Sequence, residues 1–138
     1  ESSGHIILPE YFLFDDAIVV PLKMAEVLQD NEKTLSELVD ELPMYPTARE
    51  EIDCPDDIKT NVVETLKNEL TKEFDNTSIL DGIQVTLDDG WILIRQSNTG
   101  PIIRLTAEAD DESSLTRLTT QFMQSLQKVI DEKQKQNL

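Results

Sequence analysis

The sequence predicts an α+β fold, in which two helices cover one face of an antiparallel four-stranded sheet and a shorter strand–helix segment precedes them. Residues 83–109 contain three successive runs that alternate apolar and polar side chains, as half-buried strands do. Before and after these runs, apolar residues recur at every third or fourth position, which is typical of helices that pack on a sheet. With 138 residues, 38% of them hydrophobic, the chain can bury one ordinary core and hardly two.

The first part of the chain predicts a strand followed by a helix. Residues 6–14 are apolar and rich in aromatic side chains, which favours one or two short strand segments. Asp15 or Asp16 can cap a helix that runs to about Gln29, with apolar residues on more than one side. Pro21 would remove a hydrogen bond from that helix, so a kink or a later helix start is expected.

A second short helix leads to a predicted domain boundary. Thr34 and Glu37 have the spacing of a capping box, and Pro43 ends the apolar stripe that follows. The pattern then changes from helical to extended. We therefore predict two parts, with residues 1–43 as the end of an α/β domain and residues 44–138 as a complete domain.

The second part alternates strand and helix patterns in the order strand, helix, three strands, helix. The strands are predicted at 45–53, 83–87, 91–95 and 102–109, and the helices begin at Pro55 and at about 110–113. Asp88-Asp89-Gly90 is a strong signal for a hairpin turn between the second and third strands.

Charge limits the partners that this chain can bind. With 28 acidic and 12 basic side chains, the formal net charge is -16, and a negative surface potential disfavours nucleic acid and anionic lipid. Either a solvated, solubilising surface or adaptation to high salt would explain the excess. No apolar run approaches the roughly 20 residues of a membrane span, and no signal sequence opens the chain. We expect a cytoplasmic protein with neither nucleic-acid nor membrane partners; its single cysteine, Cys54, excludes an internal disulfide.

The polar loop from Arg95 to Pro101 is the strongest candidate site. An arginine, two hydroxyls, an amide and a glycine can offer a guanidinium fork and several backbone N–H groups to one tetrahedral anion. The same side chains could instead only satisfy the backbone of a turn. The chain contains one histidine, His5, and no cluster with metal-ligand spacing or Gly-rich nucleotide-binding motif, so catalytic candidates are few.

Two motifs together resemble the α-D-phosphohexomutase family, which includes phosphomannomutases, phosphoglucomutases and phosphoglucosamine mutases. The residues Glu1-Ser2-Ser3-Gly4-His5 are similar to the family's sugar-binding loop G-E-x-S-G/A-H without its first Gly. Residues 95–101 are similar to its phosphate loop, R-P-S-G-T-E-P or R-x-S-N-T-x-P. The sequence departs from the commoner form at Gln96, Asn98 and Gly100, and Asn98 can replace Gly because Asn tolerates a left-handed backbone.

The resemblance implies a role for each matching residue. Glu1 and Ser3 would contact sugar hydroxyls, and His5 would lie near the reacting end of the sugar as an accessory group. The phosphate that is not transferred would be held by Arg95, Ser97, Asn98 and Thr99. Arg104, which follows the loop, is a weaker candidate.

The resemblance also implies where the chain belongs in a longer protein. Its two parts would be the end of the third domain and the whole fourth domain, whose fold is like that of TATA-box-binding protein. The family's phosphoserine loop and magnesium-binding loop have no counterpart here, so the fragment alone is expected to be inactive, with the magnesium ligands elsewhere. The apolar helix of the first part, deprived of its sheet, is expected to pack against the second part or to promote association with another copy of the chain.

The expected activity of the complete protein is the interconversion of hexose 1-phosphate and hexose 6-phosphate. Gly100, in place of the family's Glu, favours a phosphomannomutase/phosphoglucomutase. The alternatives are a phosphoglucosamine mutase fragment and a noncatalytic domain that binds sugar phosphates or another partner.

Overall fold

A computed structural model describes residues 4–136 of the chain, which divides into two compact units, Glu1–Met44 and Tyr45–Leu138. The first unit contains the helices α1 (Val19–Asn31) and α2 (Leu35–Asp40). The second contains β1 (Thr47–Asp53), α3 (Asp56–Glu73), β2 (Thr77–Ser78), β3 (Ile83–Leu87), β4 (Gly90–Gln96), β5 (Ile102–Ala109) and α4 (Glu112–Gln136).

Helix α1 begins later than Asp15 or Asp16 alone would suggest. The carboxylate of Asp16 accepts the backbone N–H of Ile18 at 2.7 Å and that of Val19 at 3.3 Å, in the turn that leads into the helix, but the N-cap residue is Ile18 and no side chain caps it. Pro21 is then the third helical residue, where a missing N–H removes no bond within the helix. The expected later start is confirmed, and it removes the need for a kink.

The strand predicted over residues 6–14 does not form. Within this described segment there is one isolated antiparallel bridge, at Ile7, and the carbonyl of Leu8 accepts the N–H of Tyr11 at 2.9 Å. Pro9 lies inside that turn, where its fixed φ favours a bend and its missing N–H cannot serve a strand ladder. The strand prediction was wrong because it relied on the apolar and aromatic composition of the segment and gave too little weight to Pro9.

Helix α2 carries the predicted capping box. Thr34 donates its N–H to the Glu37 carboxylate at 2.8 Å, and its hydroxyl oxygen accepts the Glu37 N–H at 3.3 Å. The N–H and the hydroxyl of Thr34 both donate to the Glu37 carboxylate and lower the pKa of Glu37. None of residues 4–44 is buried, and large apolar side chains such as Leu13, Ile18 and Leu22 are more than half exposed.

The second unit forms the predicted antiparallel sheet and extends it by one strand. The strand order is β1-β5-β4-β3-β2, and every neighbouring pair is antiparallel. The additional edge strand, β2, has only two residues, which is too short for an alternating pattern to reveal. Leu87 pairs with Gly90 across the predicted turn, which closes the β3–β4 hairpin.

The core lies between α3, α4 and one face of the sheet. On the sheet it consists of fully buried side chains from its three central strands, among them Ile83, Val85, Ile92, Ile94, Ile103 and Leu105. Phe74, at the end of α3, contacts Phe122 of α4 with ring centroids 5.7 Å apart. The α+β fold with both helices on one face is thus confirmed, and the alternate residues of β4 lie on the open face.

Candidate anion-binding site

The loop between β4 and β5 is fastened at both of its ends. The N–H of Ser97 donates to the carbonyl of Ile102 at 3.0 Å, which continues the β4–β5 ladder by one step. The carbonyl of Pro101 accepts the N–H of Cys54 at 2.8 Å, just before α3 begins. The loop is therefore fixed to the sheet and to the segment that leads into a helix.

Ser97 orders the inside of this loop. It is only 3% exposed, and its hydroxyl oxygen accepts the N–H of Thr99 at 3.2 Å and lies 3.3 Å from the Thr99 hydroxyl. A serine bonded to the backbone two residues later stabilises a turn. For Ser97 the structure therefore describes a turn-forming role, which was the alternative interpretation of these side chains.

The tip of the loop leaves backbone donors available. Asn98 and Thr99 are exposed, and within residues 4–136 the N–H groups of Asn98 and Gly100 donate to no protein acceptor. Asn98 does not use the left-handed backbone that it would tolerate, since among the described non-glycine residues only Glu32 has a positive φ. The turn is closed through the Ser97 side chain instead. A Cβ added at Gly100 would have no neighbour within 4 Å, so packing does not require glycine there.

Lys59 is the residue that sequence reasoning missed. It lies in the first turn of α3 with its side chain 11% exposed, and its ammonium donates to the carbonyls of Ser97 at 2.8 Å and Gly100 at 2.9 Å. A third bond joins it to the Asp56 carboxylate at 2.6 Å. No local motif connects positions 38 residues apart; the only signal was a cation in the first helical turn, where the helix dipole disfavours it.

Arg95 lies on the open face of the sheet, because side chains alternate along β4 and its neighbour Ile94 is buried in the core. Its guanidinium donates to the Asp81 carboxylate at 3.2 Å. Directly opposite on β5 is Arg104, which donates to the Glu51 carboxylate at 2.8 Å. Two guanidinium groups therefore lie side by side on the open face of the sheet, close to the loop between β4 and β5.

Gly82 allows Asp81 to approach Arg95. Its φ is 80°, and a Cβ there would lie 2.1 Å from the carbonyl oxygen of Ile94, so only glycine fits without a backbone shift. Beside it opens a groove of about 100 Å³, whose lining includes Thr60, Lys67, Asp81, Gln96 and Asn98. The groove therefore lies between α3 and the loop.

Of the three residues predicted to contact the sugar, the structure describes only His5. Glu1 and Ser3 lie outside the described residues. His5 is exposed, with its Nδ1 3.9 Å from the Asp15 carboxylate in the first unit.

Within residues 4–136 no group of three or more His, Cys, Asp and Glu side chains could hold a metal ion, so these residues do not fit a magnesium site. Among the same residues no helix is long and apolar enough to cross a membrane.

Comparison with known proteins identifies the class of protein to which this α+β unit belongs. The family model "Phosphoglucomutase/phosphomannomutase, C-terminal domain" matches residues 50–125. The model "Phosphoglucomutase/phosphomannomutase, alpha/beta/alpha domain III" matches residues 1–45. The chain belongs to the phosphoglucomutase/phosphomannomutase family, the α-D-phosphohexomutases, as its two motifs predicted.

Individual relatives agree with this assignment. The chain is 35% identical over 96% of its length to a probable phosphoglucosamine mutase of Methanopyrus kandleri, and it spans 29% of that protein. It is 36% identical over 86% of its length to the phosphoglucosamine mutase of Methanococcus maripaludis, spanning 27% of it. A crystal structure of a phosphoglucomutase/phosphomannomutase family protein from Burkholderia thailandensis superposes with a TM-score of 0.73 at 25% identity, covering 92% of this chain and 27% of that one. The chain thus spans less than a third of the relatives it matches.

Proposed function

We propose that this chain is the C-terminal part of a hexose-phosphate mutase, an isomerase that moves phosphate between positions 1 and 6 of a sugar through a bisphosphorylated intermediate. Residues 1–43 are the end of its third domain and residues 44–138 its fourth. The two family matches, which change over between residues 45 and 50, support this division.

In this proposal the loop 97–101 and Arg95 bind the phosphate that is not being transferred. The observation that carries it is the pair of N–H groups at Asn98 and Gly100 that donate to no acceptor within residues 4–136, on a loop that is bonded to Cys54, Lys59 and Ile102 and begins two residues after Arg95. A guanidinium fork and rigid N–H donors bind a phosphate dianion without regard to the sugar carbon that carries it. Such a site suits a bisphosphorylated intermediate, because it can bind whichever of the two phosphates is not being transferred.

Binding requires Arg95 to exchange one anionic partner for another. Its present partner, Asp81, is 68% exposed, and exposed ion pairs contribute only about 0–1 kcal/mol. A phosphate dianion held at the same time by backbone donors can therefore displace the carboxylate. Asp81 then serves to hold the arginine in place between substrates.

The remaining predicted contacts belong to the sugar. Glu1 and Ser3 would bind hydroxyl groups and His5 would lie near the reacting end, and we retain these roles as part of the proposal. Catalysis itself needs the phosphoserine loop and the magnesium-binding loop of the complete enzyme, and neither motif has a counterpart in this sequence. We therefore expect the fragment alone to be inactive, and we expect a cytoplasmic enzyme.

Two sugar classes compete as the substrate. The names of the relatives, phosphoglucosamine mutase in both species quoted, favour a hexosamine phosphate over the hexose phosphates that Gly100 suggested. The argument from Gly100 is weaker because a Cβ there would meet no neighbour within 4 Å, so the fold does not require glycine in place of a residue with a side chain. Assay of the complete enzyme with glucosamine, glucose and mannose phosphates would decide; turnover of glucosamine phosphate alone would exclude the hexose assignment.

The direct test is a phosphate titration of the ¹⁵N-labelled chain. We expect saturable amide shifts centred on Asn98, Thr99 and Gly100, with inorganic phosphate as the probe. An Arg95→Ala variant should bind at least tenfold more weakly, since it loses a charged hydrogen-bond donor. Arg49, exposed on strand β1 at the edge of the same sheet, provides the matched control, and Arg49→Ala should bind as the unmodified chain does. Absence of loop shifts would favour the rival interpretation, a noncatalytic interaction domain.

A further inference from the structure

We propose that Lys59 is a positioning residue for the phosphate loop, because it turns two carbonyl groups away from the bound anion. The proposal rests on the function proposed for the loop and adds a residue, from a different element, that gives the loop its binding form. Lys59 does not itself contact the phosphate.

The geometry gives the ammonium three partners and no spare donor. The Nζ of Lys59 donates to the carbonyls of Ser97 and Gly100 at 2.8 and 2.9 Å, and to Asp56 at 2.6 Å. A lysine ammonium has three N–H bonds, so these contacts use all of them. The two carbonyls lie at either side of the loop tip, and one cation therefore fixes both ends of the turn.

The consequence concerns the opposite side of the Ser97–Asn98 peptide group. Carbonyl oxygens carry partial negative charge and would repel a phosphate dianion. Because the Ser97 oxygen is bonded to Lys59 and directed towards α3, the N–H of Asn98, on the other side of the same planar peptide, is directed away from α3 and stays free for the ligand. The Gly100 carbonyl, whose peptide ends at Pro101 and has no N–H, is bonded to the same ammonium and so does not face the anion. The buried cation also adds positive potential beneath the loop, in a chain of net charge -16.

Stability alone does not account for a lysine at this position. Removing an ammonium from water is costly, and a buried ion pair is often no more stabilising than well-packed apolar side chains. The position is also in the first turn of α3, where the helix dipole opposes a cation. The loop carbonyls are the contacts that offset these costs.

The experiment compares two lysines of the same helix. Lys59→Met keeps the length of the side chain and removes its donors, whereas Lys72→Met changes an exposed lysine near the end of α3. Inorganic phosphate is titrated into each ¹⁵N-labelled chain and followed by the loop amide shifts. We expect binding at least tenfold weaker in Lys59→Met, with the ligand-free spectrum changed only near the substituted position in α3 and around residues 97–101, and unchanged binding in Lys72→Met.

The outcomes separate this inference from the proposed function. If the unmodified chain shows no phosphate shifts at the loop, the proposed function fails. If it binds and a folded Lys59→Met binds equally well, the positioning role of Lys59 is wrong while the phosphate site stands.

A measurement on the unmodified chain keeps the test decisive even if Lys59→Met does not fold. The ammonium signal of Lys59 should exchange with water much more slowly than that of Lys72, because all of its N–H groups are bonded. It should also shift as phosphate saturates the loop amides. Exchange as fast as at Lys72, or a Lys59 signal that is unmoved by saturating phosphate, would overturn the proposal.

Discussion

Arg95 and Arg104 are directly opposite each other across the β4–β5 pair, with both side chains on the open face of the sheet. Like charges at such positions destabilise a sheet. Here each guanidinium is bonded to a carboxylate from a different element, Asp81 for Arg95 and Glu51 for Arg104. The arrangement places two guanidinium groups beside the loop of an otherwise acidic protein, each held by an exposed carboxylate that a more strongly bound anion can displace. Arg104, which the sequence offered as a weaker candidate for phosphate binding, therefore lies beside Arg95, the stronger candidate.

Replacing Arg95 by alanine in the complete enzyme should lower kcat/KM at least tenfold. A hydrogen bond to a charged group contributes about 1.5–3 kcal/mol, and about 1.4 kcal/mol corresponds to a factor of ten. Steady-state kinetics measure the effect, with Arg49→Ala as the control for loss of an arginine from the same sheet. Unchanged kinetics in Arg95→Ala would contradict the assignment of the loop.

Replacing Gly82 by alanine should destabilise the second unit by about 2 kcal/mol or more. The positive φ alone costs roughly 1–2 kcal/mol for a residue with a side chain, and the Cβ would also collide with the backbone of Ile94. Urea unfolding measures the change. Gly100→Ala is the matched control, because no positive φ and no neighbour within 4 Å restrict that position, and its effect should stay within about 0.5 kcal/mol. Equal effects at both glycines would show that the close approach at Gly82 is not tight.

The sequence predicts well the elements that depend on local patterns. The β5 strand has its predicted bounds, 102–109, because eight alternating residues leave a single register that buries Ile103 and Leu105. The capping box at Thr34 is confirmed for the same reason, since both partners lie within one helical turn.

Features that depend on distant partners escaped prediction. Lys59 acquires its role from a loop 38 residues away, and Arg104 meets Arg95 only once the register of β4 and β5 is known. The failed strand at 6–14 has a similar cause, because a strand needs a paired neighbour and this segment finds only one bridge. A sequence pattern shows which side chains follow one another along the chain, but it does not show which distant residue each of them will contact.

Asp89 should make stability depend on acid pH. Arg117 donates to both carboxylate oxygens, at 2.8 and 2.6 Å, and this holds the pKa of Asp89 below its usual range. A lowered pKa in the folded state contributes stability that is complete above about pH 4, the unfolded value, and is lost as pH falls through the folded value. Asp89→Asn should therefore lower the urea midpoint at pH 7 and have little effect near pH 2. Asp88→Asn, at an exposed neighbour with no ion pair among the described residues, is the control, and a pH-independent loss in Asp89→Asn would exclude this linkage.

The thiol of Cys54 should be unreactive in the folded chain. Its side chain is fully buried, and burial raises its pKa, an effect that the nearby Lys59 charge partly offsets. A raised folded pKa favours the protonated form, so this group contributes stability below about pH 8.5 that is lost at higher pH as the unfolded thiol ionises. Labelling with a thiol reagent at pH 7.5 should be at least a hundredfold slower than in urea, and because the chain has one cysteine the signal reports this site alone. Equally fast labelling in both states would mean that the segment before α3 opens readily.

The chain studied by itself should self-associate through its first unit. Leu13, Ile18 and Leu22 are 86%, 74% and 62% exposed, and apolar side chains exposed in such number favour association. Sedimentation velocity over a range of concentrations should show dimers or larger species, and Leu22→Glu should shift the distribution towards monomer. Leu80→Glu, at a leucine of the second unit that is 96% exposed, tests whether any exposed leucine would do, and it should leave the distribution unchanged. A monomer at every concentration would contradict the prediction, since these side chains would then remain in water without a partner.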